Sequence, residues 1–588
     1  MSEVVYDPLE RYQKEFEQKF FQVADNTFQQ LEEQSGVDRN ANIALCLKIK
    51  KLEADKEKVK SKTSFFRGLR IVLVVLIVIL VAIGFVSYEE QQRFTYLHLL
   101  VGSGIIGLCS IIFAAVNPRI KNLDSRIRSL EATIEGLKKK AWEQMKPLND
   151  LYTWDLTTSM IQQVVPKLEF DKFVHQGRLQ ELIDDYGLAD LPETQSVLTT
   201  QSGEINDNPF VVAQILSQEW GTETYYGTKV ITWRVAVRTG DGDVVYVTRS
   251  QTLTASVSAP IPIYPIHNCL IYGNDAAPKL SFMRVPSQHS GDKDGFFDKL
   301  SKKRDMKRLT KFSQNLKDES QYTLMSNKEF ELLFETTNRT NEQEYRLLFT
   351  PLAQKQMLSL INDCRVGFGD DFSFRKQSKI NVITAKHMDG MSLDTSPSRF
   401  YDYDIVRAEA TFKRFNCMYF KSLYFAFAPL LAIPLYQQIK PLRKIYAPYE
   451  KQSSNWELES LVNYYGDRRF KGRDIETQAI LKAQMTERQG RDGFVSITAH
   501  GFYTEERLTM VPMLGGDGNM HSVPVYWKEY LPTSNTSSIM VREYEDNEFA
   551  DGNQAVADEF CDVLSSFSCD GVLSRRNILS GIMGQRMS

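Results

Sequence analysis

The chain has 588 residues, with 71 Lys and Arg against 74 Asp and Glu and a formal charge of −3. At roughly 100 to 200 residues per domain, that length allows three or four domains besides any membrane segment, and the near-neutral balance gives no reason to expect nucleic acid as the main partner. Seven cysteines are scattered and never spaced as CxxC, which fits a reducing compartment and argues against disulfides and against a thiolate zinc site.

The first twenty residues are charged and amphipathic, without the apolar core and small-residue cleavage site of a secretory signal. Tyr12, Phe16, Phe20, Val23 and Leu31 recur at helical spacing, which predicts an amphipathic helix packed on another part of the protein. Leu45, Ile49, Leu52 and Val59 then fall on heptad positions, with Lys56 at the remaining one.

Two apolar spans follow, Ile71 to Val86 and Phe94 to Val116, each long enough to cross or nearly cross a ~30 Å hydrocarbon core. Only Ser87 to Arg93 separates them, so they form a helical hairpin. Lys56, Lys58, Lys60, Lys62, Arg67 and Arg70 precede the first span and Arg119, Lys121, Arg126 and Arg128 follow the second, against Arg93 alone in the loop. The positive-inside bias places both termini in the cytoplasm, with Tyr88, Phe94 and Tyr96 at the outer interface. His98, in the same turn, is read as an interfacial histidine rather than a buried proton carrier.

Gly102 to Gly107 matches the dinucleotide fingerprint GxGxxG, but it lies inside a span with no preceding strand. Ser103, Gly107, Ser110 and Ala114 instead step along one helix face and form a small-residue surface for close helix packing. The first span is its expected partner, and a second copy of the chain is the alternative. Beyond it, Ile120, Leu123, Ile127, Leu130, Ile134 and Leu137 keep a 3,4,3,4,3 step. Two striped arms predict an antiparallel coiled-coil stalk of ~18 residues, roughly 27 Å at 1.5 Å per residue. Pairing with a neighbouring subunit is the alternative.

From Gly227 the texture alternates: Ile231, Trp233, Val235 and Val237, a turn at Gly240-Asp241-Gly242, then Val245, Val247, Leu253, Ala255 and Val257. This β-rich module ends in Pro260 to Pro265, an extended edge segment or a polyproline ligand. A basic stretch follows. Phe296, Phe297, Lys302, Lys303, Arg304, Lys307 and Arg308 are candidate contacts to anionic lipid, the other reading being a solvated connecting helix.

Between Ser326 and Ile383 the chain carries Glu329-Phe330-Glu331 with Phe334, then Glu342 to Leu348, and Thr350-Pro351-Leu352 opening a helix with Met357, Leu358 and Leu360. Phe372-Ser373-Phe374 and Ile380 to Ile383 complete the pattern. It resembles an uncharacterised family of bacterial two-span membrane proteins, commonly encoded near LemA-type membrane proteins. The resemblance implies a fold and a membrane location and transfers no active site. The residues themselves predict Thr350 as N-cap with Pro351 at the first helical position, then a core-facing helix, then a strand.

Leu423 to Tyr436 is apolar but short for a span and holds Pro429 and Pro434. A buried core segment is preferred over an interfacial segment or a third span. Trp456 to Tyr465 reads as helix, and Phe494 to Tyr503, Leu508 to Met513 and Val523 to Trp527 as strands, the last two joined by Gly515 to Asn519. An acidic segment from Glu543 to Asp562 and a basic tail with Arg575, Arg576 and Arg586 close the chain.

Asp292-Lys293-Asp294-Gly295 starts like a calcium loop but lacks its later ligands. The histidines show no HxH or HExxH spacing. The residues therefore point to no catalytic, cofactor or metal site. The expected whole is an α+β multidomain membrane protein: an N-terminal helix and first stalk arm (1–62), a transmembrane hairpin (63–119), a second arm (120–158), a β-rich module with basic connector (159–320), an α/β module (321–410), an apolar proline-containing segment (411–455) and a C-terminal β-rich module and tail (456–588). Such a two-pass protein of the cell membrane would act as an anchored cytoplasmic scaffold or sensor, its partners membrane lipid and a protein or a further copy of itself. A membrane-tethered enzyme is the alternative.

Overall fold

The computed structural model describes residues 7–91, 96–238, 243–287, 323–441, 451–544, 554–565, 569–576 and 578–583. It is an α+β multidomain protein with two long apolar helices and three sheets among these residues. The chain divides into two compact units. One comprises Met1–Phe21, Thr157–Thr395 and Cys417–Ser588, the other Gln22–Leu156 and Ser396–Asn416.

In the first unit the chain enters with β1 (Leu168–Phe170), β2 (Gln195–Ile205) and β3 (Asn208–Ser217) and leaves as a ribbon of β4 (Glu219–Arg238) and β5 (Val244–Ile263). It returns with β6 (Ile266–Gly273), β7 (Ser281–Arg284), β8 (Phe372–Gln377) and β9 (Ile380–Ala385). Seven of these form one antiparallel sheet in the order β1-β2-β3-β6-β9-β8-β7. Asn206 and Asp207, at φ of 51° and 66°, make the two-residue turn between β2 and β3, whose twist suits a hairpin.

Both faces of this sheet are covered. On one, Leu179, Leu182 and Trp456 pack over Val197, Val211, Ala213 and Ile271; on the other, Phe427 meets Phe210 with ring centroids 4.9 Å apart. A strand covered on both faces need not alternate: β3 runs apolar from Phe210 to Ala213, while β2 buries the polar Ser196, Thr199, Thr200, Gln201 and Ser202, which are hydrogen-bonded within the fold, so neither carries the alternating signal that begins at Gly227. Strands from either side of residue 320 pair here, β6 with β9 and β7 with β8, so the separate modules expected at 159–320 and 321–410 are one. Thr350 does cap the helix Pro351–Asn362, accepting from the Ala353 amide, with Pro351 in the first turn.

The apolar stretch Leu423 to Tyr436 lies in the core: the helix Ile405–Leu431 carries its first part and the short helix Pro434–Gln438 its end, and Ala426, Ala428 and Ile433 are fully buried. Its partner within this unit is the start of the chain. Phe20 stacks on Phe420 at 4.2 Å, Tyr12 packs against Phe420, Tyr424 and Phe425, and the Tyr424 hydroxyl donates to the Pro8 carbonyl at 2.7 Å. Asp7 caps this entry by accepting from the Leu9 and Glu10 amides.

A second antiparallel sheet has the order β10-β11-β12-β14-β13, formed by β10 (Ile480–Gln489), β11 (Asp492–Leu514), β12 (Met520–Glu543), β13 (Cys569–Arg575) and β14 (Ile578–Met583). The shorter strands expected here are parts of β11 and β12, which pair without a shift from Asp492↔Arg542 to Leu514↔Met520. The polar run Thr504 to Arg507 reads as a break, yet it stays paired while Arg507 bonds Glu529 across the ladder at 2.5 Å. Helix Asn455–Tyr465 sits between the two sheets: Leu458, Leu461 and Val462 face the second, while Asn463 donates to the Val197 carbonyl in the first at 2.9 Å. Arg575 and Arg576 belong to this core rather than to a basic tail, Arg576 pairing with buried Glu457 at 2.9 Å.

The second unit is helical. Arg39–Gln91 is one uninterrupted helix; Tyr96–Ile111 continues through a π turn, Ile112–Val116, into Asn117–Asn149. Pro118 has no N–H to offer the preceding turn, and the π turn absorbs the mismatch through an Asn117 amide bond to the Ile112 carbonyl. The two long helices run antiparallel, as the ion pairs Glu53–Lys138, Lys56–Glu131 and Arg67–Asp124 (2.6, 3.6 and 3.0 Å) require. Ile49, Ile134 and Ala141 are buried between them, flanked by Leu45, Leu52 and Leu137. Lys56, at its heptad position, turns its charge outward to Glu131. At the base, buried Asn42 donates to the Tyr403 carbonyl and accepts from the Ile405 amide, both at 3.0 Å, and Phe28 meets Phe412.

Candidate functional site

The two helices contain stretches long and apolar enough to cross a membrane, with mean hydropathies of 2.7 and 2.0, of which only 6% is buried. Ile71 and Val78 are each 61% exposed and Phe113 81%. At about 2 kcal/mol for each large apolar side chain left in water, such a surface needs an apolar environment.

The face formed by Ser103, Gly107, Ser110 and Ala114 does not meet the first span: all four are exposed, and no atom comes within 4 Å of the position a Cβ would take on Gly107. The first span contacts the neighbouring face instead, where Leu80 lies 3.5 Å from the corresponding position on Gly104. A helix pair is tilted by its whole seam, and the seam below, from Val116 to Leu148, sets which face turns inward. The Ser103 and Ser110 hydroxyls donate to the Leu100 and Ile106 carbonyls (2.9 and 2.8 Å), which satisfies them without a partner helix. The side chain of His98 lies outside the described residues, as do Gly240 to Gly242, Asp292 to Gly295, and the candidate lipid contacts Phe296, Phe297, Lys302, Lys303, Arg304, Lys307 and Arg308.

Buried charge is plentiful in the first unit, and each group is engaged by its own chain. Arg339 holds Glu331 (3.0 Å) and Glu342 (2.7 Å) and stacks 4.0 Å over Tyr345, so these two acidic residues of the segment 326–383 belong to a structural network. Burial tends to raise the Asp171 carboxyl, but hydrogen bonds from His175 and Arg178 outweigh it and hold it well below the usual carboxylate range. Lys376 is 1% exposed, and burial pushes its ammonium down to about 7; its Nζ donates to the Ala276 and Ser378 carbonyls at 2.9 and 2.6 Å. Nothing in the spacing of the sequence marks it: the Ser378 carbonyl is local, but only the fold brings the Ala276 carbonyl and the burial.

His387 stacks on Phe368 with centroids 4.1 Å apart and bonds Asp371 at 2.6 Å and the Ser422 carbonyl at 3.1 Å. A His–carboxylate pair is the germ of a general base, but the adjoining cavity holds only about 10 Å³, room for one water at most. The other described histidines stand apart. His175 caps a helix, His521 bonds Asp517 within the Gly515 to Asn519 turn, and His500 lines an open groove of about 300 Å³ with Glu193, Thr533 and Ser534. In that turn the Gly516 amide is taken by Gln251 at 2.7 Å, so it is not offered to an anion. Among the described residues, no three of His, Cys, Asp and Glu gather as a metal-holding set.

No protein-family model, curated protein or solved structure matches the chain. The functional reading therefore rests on its own geometry.

Two surfaces that patterning alone did not single out remain. The β4–β5 ribbon and the distal halves of β11 and β12 project as long two-stranded hairpins, packed together through Ile231, Leu253 and Ala255 over Val523 and Val525. At their crossing only glycine fits, since a Cβ on Gly227 would lie 1.9 Å from the Pro524 carbonyl oxygen. Beyond this contact both hairpins leave large apolar side chains in solvent, among them Tyr226, Tyr246, Met510, Leu514 and Met520.

Proposed function

We propose that the chain is a two-pass membrane protein with both termini in the cytoplasm, acting as an anchored scaffold or sensor that binds a protein near the inner leaflet. The observation that carries this is the unburied apolar surface of the two long helices, directly continuous with a helix pair whose seam is buried within the chain. Lipid covers the first part, and water bathes the second. The helix pair acts as a coiled-coil stalk, and the basic residues flanking both spans keep its base on the cytoplasmic side. The segment 326–383, where the resemblance to the two-span family lies, contributes β8 and β9 to the first sheet. Partner binding is supported by the apolar hairpin faces, whereas the groove beside His500 brings a single histidine and a single carboxylate together. That groove is the foothold of the alternative, a membrane-tethered enzyme.

Native mass spectrometry of the full-length protein, released gently from its own membranes, tests the reading. A stoichiometric protein partner or further copies of the chain, without a small molecule, is the expected result; a retained nucleotide or metal would move the enzyme reading to the front. Orientation is tested by labelling intact cells with a membrane-impermeant maleimide. A Ser87→Cys variant should label and the exposed Cys561 should not; the reverse pattern would overturn the topology.

A further inference from the structure

Where the helix pair meets the two apolar spans, the chain carries positive charge that it does not itself compensate. Farther from the spans, Lys56, Lys58, Lys60 and Lys138 lie 2.6 to 3.6 Å from the carboxylates of Glu131, Asp55, Glu57 and Glu53. Nearer to them, Lys62, Arg70, Arg119, Lys121, Arg126 and Arg128 are exposed, and none has a carboxylate within 4 Å among the described residues. Sequence explains the difference: Ser61 to Arg70 contains no acid, and Asn117 to Leu130 contains only Asp124, which Arg67 takes at 3.0 Å. That pair also brings the two helices level. Counting 1.5 Å per residue from it, Arg70, Arg119 and Lys121 stand roughly 4 to 8 Å toward the spans and Lys62, Arg126 and Arg128 roughly 3 to 8 Å away from them. The six cations therefore share a band of ~15 Å that adjoins apolar Ile71 and Val116. Residues two turns apart share a helix side, so Arg119 and Arg126 lie on one side and Lys121 and Arg128 nearly opposite. The charge rings the stalk as a collar.

We propose that this collar is a binding site for anionic phospholipid, its cations taking the phosphodiester head groups of the leaflet on the stalk side. Position selects the occupant. The lipid that covers exposed Ile71 and Phe113 carries its head groups at the level where the spans end, which is where Arg70 and Arg119 stand. A protein or nucleic acid would have to displace those head groups to reach the same cations. Phe65 and Leu69, 68 and 36% exposed, add apolar side chains at the same level, and the Arg119 guanidinium lies 5.7 Å over the Phe66 ring. Charge selects the lipid class. Guanidinium groups take phosphate oxygens in pairs, and every cation near an anionic leaflet adds an attraction that a zwitterionic leaflet does not supply. The site goes beyond the orientation bias, which counts charge and needs no bound lipid: it requires cations free of carboxylates at one level, and the free cations are the ones closest to the bilayer.

The inference rests on the membrane half of the proposed function and names its lipid. The test uses full-length protein in nanodiscs of phosphatidylcholine mixed with phosphatidylglycerol, the lipid retained on gentle release being counted by native mass spectrometry. Wild type should retain phosphatidylglycerol over phosphatidylcholine by roughly tenfold or more, a preference that falls as salt rises. Combining Arg70→Gln, Arg119→Gln, Lys121→Gln and Arg126→Gln should remove most of that preference. Combining Lys56→Gln, Lys58→Gln and Lys60→Gln, whose cations already have carboxylates, should leave it in place. Should the first variant fail to insert, wild type is exposed to phosphatidylglycerol with a photoreactive head group; the crosslinks should map to residues 62–70 and 119–128. Equal retention of the two lipids by wild type, a collar variant with the preference intact, or equal loss in the Lys56 series would overturn the proposal. So would crosslinks no denser in the collar than along the spans, or an acidic protein retained there in place of lipid. A chain that inserts but prefers neither lipid refutes this inference alone, whereas one that does not enter bilayers at all refutes the anchoring.

Discussion

Lys376 sits among carbonyls, its ammonium donating to two neutral acceptors and lying 5.7 Å over the Tyr436 ring, and the charges of Glu344 and Asp275 do not make up for its burial. Its folded value of about 7 lies below the ordinary lysine value of 10.5, so the native state binds the proton less tightly than the unfolded chain. Stability should therefore rise as pH climbs from about 7 to 10.5 and be flat below 7. The span is on the order of 5 kcal/mol. Denaturant unfolding at pH 7 and pH 9.5 checks this: a Lys376→Met variant should lose that gain relative to wild type. Arg339 is the opposite case, a buried cation with two carboxylates. Arg339→Met leaves Glu331 and Glu342 buried without their partner and should cost about 3 to 5 kcal/mol, read as a lower denaturation midpoint. A change under about 1 kcal/mol would show that water or Arg346 takes over.

Helix pairing decides more than helix patterning does. The stripe at the start of the chain was legible as amphipathic, and the apolar stretch around Leu423 as core, but nothing in either names the other. Their union is aromatic, with Phe20 stacked on Phe420, and Phe20→Ala should destabilise by about 3 to 5 kcal/mol. A protein beginning at Lys146 would bare Phe420, Tyr424 and Phe425 and is expected to aggregate and bind a hydrophobic dye. Monodisperse behaviour of that fragment would show the N-terminal helix to be dispensable. The ribbon crossing is equally specific: no property of Gly227 in sequence reveals that Pro524, nearly 300 positions on, passes against its backbone.

For the whole molecule, the two apolar helices should govern partition. Replacing residues 71–116 with a short Gly/Ser linker between the stalk arms should convert a carbonate-resistant membrane protein into a soluble one with the same far-ultraviolet circular dichroism outside the lost helix. Continued pelleting would place the membrane contact elsewhere, with the segment around Phe296 to Arg308 next in line. What the sequence by itself determined is local and periodic: the apolar spans, the heptad arms, the cap at Thr350 and the alternating strands from Gly227. Each depends on neighbours within a few residues. Only the tertiary structure decided that β2 and β3 are central strands, that β6 pairs with β9 across residue 320, that the small-residue face turns outward, and that Arg575 and Arg576 are core. Those outcomes depend on what covers each side chain, and coverage is set by residues hundreds of positions away that leave no period in the chain.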